Sequence, residues 1–418
     1  MEYSEQGKKS NSFWILIIFF INPFLSLVVS GRDYLSKYFT NIIWLFCTFY
    51  GYTFYPVRNT MDSFRHREDF LRWATEREMT FDYFLNRLYG DDVSFVDILL
   101  PLLKFLVSRV TDDPNIFYGV LGCLFGYFYS RNIRFILSYY NLKINKYSAI
   151  FLFMFAITIP MWEINSFRFW LAAHIFVLAG FKILFHKKNI AYLAIFITPF
   201  IHFSFVFVII LFFIYKLIGN KITIHFIILM SSIFLGQFNI TKSVQSVLPT
   251  TSIESLDDKT TGYTSEGYIE DRAESSQSLN WYAKYRSLPV KYLTFLILAI
   301  IFFKHKDEIT QSDLLPLFCA GLFIFSISFT IMSSVPVFGR YNRIGQMFIY
   351  AFLFLFFLKK KNTQWYRKIH PYYIAAASLF IIVSIRGWFD TMTIDTLISN
   401  PLMLMFYHSN ENIINFIK

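Results

Sequence analysis

Four groups of arginine, histidine and carboxylate residues interrupt a chain that is otherwise mostly apolar. A planar guanidinium binds phosphoryl oxygens with two parallel hydrogen bonds and stays charged at physiological pH. It also stabilises the negative charge that develops when a phosphate group leaves, and a nearby histidine or carboxylate can take the proton of an attacking hydroxyl. The residue types therefore indicate a site that handles a phosphate or diphosphate. The groups are Arg58, Asp62, Arg65, His66 and Arg67; Glu163, Asn165 and Arg168, with His174 further on; His202 with Ser204; and Arg340, Tyr341 and Arg343.

Within these groups, the residues embedded in apolar sequence are the strongest candidates, because an ionisable group at membrane depth is costly and usually functional. Arg168 and His202 meet this description best. The alternatives are an ion pair with Glu163 or a snorkelling side chain for Arg168, and a hydrogen-bonded core histidine for His202. For His174 a structural role is favoured. Most charges between 58 and 87 are expected on solvated faces of short amphipathic helices, with Asp62 as the candidate acid nearest the membrane boundary.

The rest of the chain must position these groups, and its composition is that of a membrane protein. Of the 418 residues, 55% are hydrophobic and 21% are aromatic, which exceeds the usual values for globular proteins. A membrane-spanning helix needs about 20 mostly apolar residues. We therefore predict an all-α polytopic integral membrane helical bundle, a single transmembrane domain over 1–418 with about 10–12 membrane segments. The candidate spans are 13–30, 39–56, 114–130, 147–161, 166–185, 222–238, 288–303, 314–332, 344–358 and 370–386.

Two further stretches do not fit a simple span. The stretch 190–217 is too long for one crossing and too short for two, and it holds Pro199, His202 and Ser204 near its middle. We interpret it as a broken helix, which is tolerated only where it lines a protein cavity. The stretch 94–110 is long enough to span, but its three charged residues favour an amphipathic helix at the membrane surface.

The formal net charge of +11 does not indicate nucleic-acid binding. The excess positive charge lies in short lysine and arginine clusters between apolar runs. The positive-inside rule makes these clusters cytoplasmic. This orientation predicts that 57–113 forms extracytoplasmic juxtamembrane helices and that 239–287 is a large extracytoplasmic loop. Such a long loop is either an element that covers the substrate or a solvated loop. All four polar groups then lie on one outer face.

Several motifs resemble the EpsG-like branch of the Wzy-type bacterial polysaccharide polymerases, which are similar in architecture to the GT-C glycosyltransferases. One difference is that Arg65 and His66 follow Asp62 where the family often has a tyrosine. The motifs that carry the resemblance are Phe49-Tyr-Gly51-Tyr-Thr53 followed by Asp62-Ser-Phe-Arg65; Asn165-Ser-Phe-Arg168-Phe-Trp-Leu171-Ala172; Phe200-Ile-His202-Phe-Ser204; Lys259-Thr-Thr-Gly-Tyr263; and Arg340-Tyr-Asn-Arg343.

The resemblance implies a polymerase at the outer face of the bacterial inner membrane. It would transfer a growing glycan from undecaprenyl diphosphate to the non-reducing end of a lipid-linked repeat unit. The partners implied are the undecaprenyl-diphosphate-linked oligosaccharide and membrane lipid, while a chain-length regulator is left open. From the polar groups themselves we expect His202, Asp62 and Arg168 to be catalytic. The residues expected to bind the substrate and its diphosphate are Arg58, Arg65, His66, Glu163, Asn165, Arg340, Tyr341 and Arg343.

No cofactor is expected, and no metal is needed on this view because arginines neutralise the diphosphate. The cysteines Cys47, Cys123 and Cys319 lack a metal-type spacing. The acidic pairs at 91–92, 112–113 and 257–258 leave a divalent ion open.

Other functions remain open from the sequence. An O-antigen ligase or another GT-C-type transferase would differ from a polymerase only in its acceptor. A lipid-linked oligosaccharide flippase would also carry cations in a cavity, but such transporters usually have two repeated halves, and no repeat is visible in this chain. A membrane O-acyltransferase would need its donor to enter from the cytoplasm, opposite the predicted face of the histidines.

Overall fold

The computed structural model describes residues 13–56, 61–76, 78–89, 97–235, 280–330, 339–360, 363–409 and 411–417. Within these ranges the structure is helical and contains two isolated β-bridges but no strand. The helices of the N-terminal half are α1 (13–21), α2 (Pro23–Ser30), α3 (Lys37–Tyr52), α4 (Asp62–Thr75), α5 (Phe81–Tyr89), α6 (Leu99–Ser108), α7 (Pro114–Tyr139), α8 (Lys146–Thr158) and α9 (Phe167–His186). Those that follow are α10 (Ala191–Ile201), α11 (Phe205–Ile218), α12 (Ile222–Leu235), α13 (Trp281–Tyr285), α14 (Leu288–Thr310), α15 (Leu315–Thr330), α16 (Gly339–Lys359), α17 (Gln364–Trp388), α18 (Asp395–Ile398) and α19 (Ile413–Ile417).

The predicted class, an all-α polytopic membrane protein, is confirmed. Four helical stretches in the described residues are long and apolar enough to cross a membrane. They are Lys146–His186, Trp281–Thr310, Gly339–Lys359 and Gln364–Trp388. The first of these contains α8, a 3₁₀ turn (Met161–Ser166) and α9. Several shorter apolar helices accompany them, including α10, α11 and α12.

The predicted span 13–30 is not one continuous helix. It is divided at Asn22, whose side-chain oxygen accepts a hydrogen bond of 2.7 Å from the backbone N–H of Leu25. Pro23 follows as the first residue of α2. An asparagine cap followed by proline is a strong signal for starting a helix, so the chain begins a new helix here within an apolar run.

The pair α3 and α7 forms a close helix crossing that depends on glycine. A Cβ atom on Gly51 would lie 2.3 Å from the carbonyl oxygen of Tyr118 and 2.9 Å from the Cα of Gly122. Gly122 and Gly126 are spaced four residues apart on α7, the small-residue pattern that lets membrane helices approach closely. The same helix reaches α4, because the Tyr118 hydroxyl donates a 2.5 Å hydrogen bond to the carbonyl of Ser63. This crossing therefore supports the helix that begins with Asp62.

The predicted break in 190–217 is confirmed. Helix α10 ends at Ile201 and α11 begins at Phe205, with His202 in an extended conformation between them. Pro199 has no N–H to donate to the carbonyl of Ile195, and the hydroxyl of Thr198 bonds that carbonyl instead at 2.6 Å. The backbone is thus weakened one turn before the break.

The ambiguous stretch 94–110 forms a short helix in its described part. Helix α6 has 10 residues, about 15 Å of helix, which is half of the roughly 30 Å hydrocarbon core. It packs on α4, and the Ile98 N–H donates a 2.9 Å bond to the carbonyl of Phe200 at the end of α10. Arg109 donates a 2.7 Å bond to the carbonyl of Glu76 at the end of α4. Its charged residues therefore make internal contacts, and α6 alone is too short to cross the hydrocarbon core.

Candidate active site

The N-terminal ends of four helices meet at a solvent-open cleft of about 240 Å³. Asp62 begins α4, Arg168 lies in the first turn of α9, His202 comes just before α11, and Arg340 is the second residue of α16. The N-terminus of a helix carries a partial positive charge and unpaired N–H groups, so this arrangement favours an anion. The residues that line the cleft are Asp62, His66, Ser166, Phe167, Arg168, Phe169, His202 and Arg340.

Arg168 is held by a carboxylate that the sequence analysis did not select. Its Nη1 donates a 2.8 Å hydrogen bond to Oδ2 of Asp97, whose side chain is 9% exposed. Oδ1 of Asp97 accepts a 2.7 Å bond from the backbone N–H of Phe203, in the break between α10 and α11. The ion pair with Glu163 considered for Arg168 is therefore not the one formed. Asp97 instead ties the guanidinium of Arg168 to the segment that carries His202.

His202 is oriented by its neighbours at the break. Its Nδ1 lies 2.7 Å from the hydroxyl oxygen of Ser204. Its ring meets the ring of Phe169 edge to face, with centroids 5.2 Å apart. Tyr341, which is buried, donates a 3.1 Å bond to the carbonyl of Ser204 and packs against Phe169. Tyr341 therefore supports the histidine segment and is not among the residues that line the cleft.

His66 is a neutral hydrogen-bond donor in this site. Its Nδ1 lies 3.3 Å from Nζ of Lys104, which is buried and donates a 2.9 Å bond to Asp69. An ammonium group has donors only, so Nδ1 must be the acceptor and the proton of the neutral ring lies on Nε2. Burial, together with the charges of Lys104, Arg168 and Arg65, lowers the pKa of His66 well below its ordinary value of 6.5.

Asp62 contributes a carboxylate at the rim of the cleft. Its Oδ1 pairs with Nη2 of Arg65 at 2.5 Å, and the Arg65 side chain is 68% exposed. A second pair of the same spacing joins Arg72 to Asp69 on α4. The charges along this amphipathic helix therefore pair between residues three apart. Arg65 is not among the cleft-lining residues, and it acts on the site through Asp62.

The remaining predicted site residues lie beside the cleft. Arg343 forms an ion pair with Glu163, and its guanidinium lies over the ring of Trp170 with 4.9 Å to the centroid. Arg286, just before α14, interacts electrostatically with both Arg343 and Glu163. Asn165 accepts a 2.6 Å bond from the hydroxyl of Ser63 and so joins α4 to the turn before α9.

One further candidate from the sequence, His174, has a clear place in the structure, and two other predictions lie outside the described residues. His174 is fully buried in α9, where Nε2 lies 3.1 Å from the carbonyl of Ile159 and Nδ1 lies 3.3 Å from Nδ2 of Asn132. It is a structural histidine, as favoured. Arg58 and the part of the loop 239–287 up to 279 lie outside the described residues.

The acidic pairs considered for a divalent ion do not form a ligand cluster where the structure describes them. Asp113 caps α7 by accepting a 2.8 Å bond from the N–H of Asn115. The pairs at 91–92 and 257–258 lie outside the described residues. Among the residues that are described, no three His, Cys, Asp or Glu side chains are grouped closely enough to hold a metal ion.

Sequence reasoning missed Asp97, Lys104 and Arg286 as parts of this region. In the sequence, Asp97 and Lys104 indicate only that the stretch 94–110 is a poor candidate for a membrane-spanning helix. Asp97 and Lys104 stand in apolar sequence, and a buried aspartate or lysine requires a partner of opposite charge. This requirement could have marked them as parts of a site. Their partners lie on α9 and α4, far away in sequence, so the pairing itself could not be read from the chain.

Comparison with known protein families finds a match to the EpsG family. No curated protein and no solved structure matches the chain. The model of the EpsG family matches residues 73–393 and includes Arg168, His202 and Arg340, while Asp62 and His66 precede the matched region. Because this match covers more than half of the chain, the protein belongs to the EpsG family and is a membrane protein of the polysaccharide-polymerase type.

Proposed function

We propose that this protein polymerises a polysaccharide at the outer face of the bacterial inner membrane. The donor is a glycan attached to undecaprenyl diphosphate, and the acceptor is the non-reducing end of a lipid-linked repeat unit. The observation that carries the proposal is the convergence of Asp62, His66, Arg168, His202 and Arg340 on one cleft at four helix N-termini. These residues come from segments far apart in sequence, and together they provide cations, a donor and a base.

In the proposed reaction, one bond to the anomeric carbon of the donor sugar is exchanged for another. The acceptor hydroxyl oxygen bonds to that carbon, and the bond from the carbon to the diphosphate oxygen breaks with its electron pair. Arg168, Arg340 and the helix N-termini stabilise the charge on the departing diphosphate. His202 takes the hydroxyl proton, and Asp62 is the second candidate for this role.

The neutral His66 has a different part in this proposal. Because its Nδ1 accepts from Lys104, it is suited to donate from Nε2 and not to act as the base. A donor at this position adds a hydrogen bond to a phosphate oxygen or a sugar hydroxyl in the cleft. The division of roles leaves His202 as the histidine that can accept a proton.

A deletion strain tests the proposal. With wild-type protein restored, a gel of the surface polysaccharide should show a ladder, and without it only a single repeat unit should remain. Arg168→Lys should fail to restore the ladder at normal protein level, because lysine cannot bind in the two-pronged geometry. Arg87→Lys is the matched control, since Arg87 lies outside the cleft and pairs with Glu76 at 2.9 Å. An unchanged ladder in the deletion strain would refute a polymerase, and retention of the lipid-linked unit inside the cell would indicate a flippase.

A further inference from the structure

A second cavity, partly open to solvent, lies between α8, α14, α16 and α17. The residues with polar groups that line it are Thr158, Ser287, Lys291, Gln346 and Tyr350. Lys291 lies in the first turn of α14, within a stretch apolar enough to span a membrane. A lysine in such a stretch is costly, faces the protein interior or a wet cavity, and often marks a substrate path.

This cavity lies at the same end of the protein as the cleft. Helices α14 and α16 run in parallel, because Glu308 at the far end of α14 pairs with Lys360 just after α16. Residues 340, 343 and 346 of α16 follow one another at intervals of three, so that the first and last are about 9 Å apart along the helix axis. Arg340 lines the cleft and Gln346 lines the second cavity.

Cationic groups connect the two cavities. Arg343 lies between Arg340 and Gln346 on α16 and is paired with Glu163. Arg286 interacts electrostatically with Arg343 and is followed directly by Ser287, which lines the second cavity. The path from the cleft to Lys291 therefore carries four cations, and Glu163 pairs with Arg343 and also interacts with Arg286. A positive path of this kind can hold two phosphate groups side by side.

We propose that the second cavity binds the diphosphate of the acceptor lipid, while the cleft binds that of the donor. This inference rests on the proposed function, because transfer between two lipid diphosphates brings two anions to one face of the protein. Lys291 supplies a point charge, and the amide of Gln346 and the hydroxyl of Ser287 supply hydrogen-bond donors. The outer surfaces of α14 and α17 are apolar and largely exposed, which suits contact with a polyprenyl chain.

The test counts bound lipids by native mass spectrometry, using the purified full-length protein titrated with undecaprenyl diphosphate. Wild-type protein should bind two molecules. Lys291→Met should bind one, with the affinity for the second reduced at least tenfold, and Gln346→Leu should weaken the same binding step. Lys284→Met is the matched control, because Lys284 is exposed on α13, and it should bind two. Elution of each variant as a single species in gel filtration establishes that it is folded.

Each outcome decides the proposal. A single bound lipid in the wild type, or two equally tight ones in both Lys291→Met and Gln346→Leu, overturns it. Equal occupancy by phosphatidylglycerol would identify a general headgroup site and overturn the assignment to the acceptor. If two lipids bind but the deletion strain keeps its ladder, the proposed function is wrong and the second diphosphate site stands. If the ladder depends on the protein but only one lipid binds, the second site alone is wrong.

Discussion

At the scale of single residues, the site is built on contacts that join distant segments. Asp97 is the clearest example, because one carboxylate bonds Arg168 on α9 and the backbone beside His202. Lys104 performs a similar function for His66 on α4. The groups predicted to act on the substrate are thus held by partners that do not line the cleft.

Asp97→Asn should reduce polymer formation by about tenfold or more, since the amide keeps the size of the side chain but loses the charge-assisted bond to Arg168. Asp112→Asn is the control. In a double-mutant cycle with Arg168→Lys, the effects on the affinity for undecaprenyl diphosphate should be clearly less than additive, because both changes disrupt one contact. Additive effects would show that Asp97 does not act through Arg168.

His202→Gln should lower the turnover number by roughly 10²–10⁴-fold, the usual contribution of a general base, while the protein still binds lipid-linked repeat units. Glutamine can keep one hydrogen bond of the ring, so a purely structural histidine would leave turnover per folded molecule almost unchanged. Rates measured with purified protein at matched concentration separate the two outcomes. A near wild-type rate would make Asp62 the leading candidate for the base.

Lys104→Met should shift the acid limb of the pH–rate profile to higher pH. Burial and the charges of Lys104, Arg168 and Arg65 lower the pKa of His66 well below 6.5, so the folded protein keeps this ring neutral as the pH falls through 6.5. The unfolded chain takes up the proton there, so His66 reduces the stability of the fold below about pH 6.5 and has no such effect above it. Removing Lys104 takes away one of the charges that lower the pKa of His66, so protonation of the ring moves to higher pH. Lys187→Met, at the far end of α9, is the control, and an unshifted acid limb would contradict the assigned role of His66.

At the scale of helices, the sequence predicted the positions of most helices and the break between α10 and α11. Pro199 and the length of 190–217 indicated two half-helices, and these are α10 and α11. Apolar length could not predict the division at Asn22, because a cap depends on one side-chain hydrogen bond within an apolar run. Apolar length also left the stretch 94–110 undecided. The structure shows that its helix, α6, is short and packs on α4.

The crossing of α3 and α7 is the element on which α4 rests, and Gly122→Ala should weaken it. A Cβ atom there would lie 2.5 Å from the carbonyl oxygen of Cys47, so the helices must move apart. The expected cost is about 1–3 kcal/mol, the range for overpacking a well-packed core, measured as a lower thermal midpoint in detergent. Gly387→Ala is the matched control, because no atom lies within 4 Å of its added Cβ. Equal midpoints for both variants would show that the crossing is not tightly packed.

At the scale of the whole molecule, the proposed function depends on polar groups that lie together at one end of an apolar bundle. The sequence predicted that four separate groups would share one face, and residues from each of them line one cleft. It could not show which members would contact one another, because the pairs Arg168–Asp97 and Arg343–Glu163 depend on how the helices pack. Membership of the EpsG family agrees with a polymerase-type membrane protein and leaves the sugar to be identified.

The most direct test uses purified protein in liposomes with a defined undecaprenyl-diphosphate-linked repeat unit. We expect a ladder of longer lipid-linked glycans, with one undecaprenyl diphosphate released for each new linkage. Arg168→Lys should abolish both products, and Arg87→Lys should leave both unchanged. Movement of the substrate across the bilayer without any new linkage, or full polymer formation by Arg168→Lys, would contradict the account.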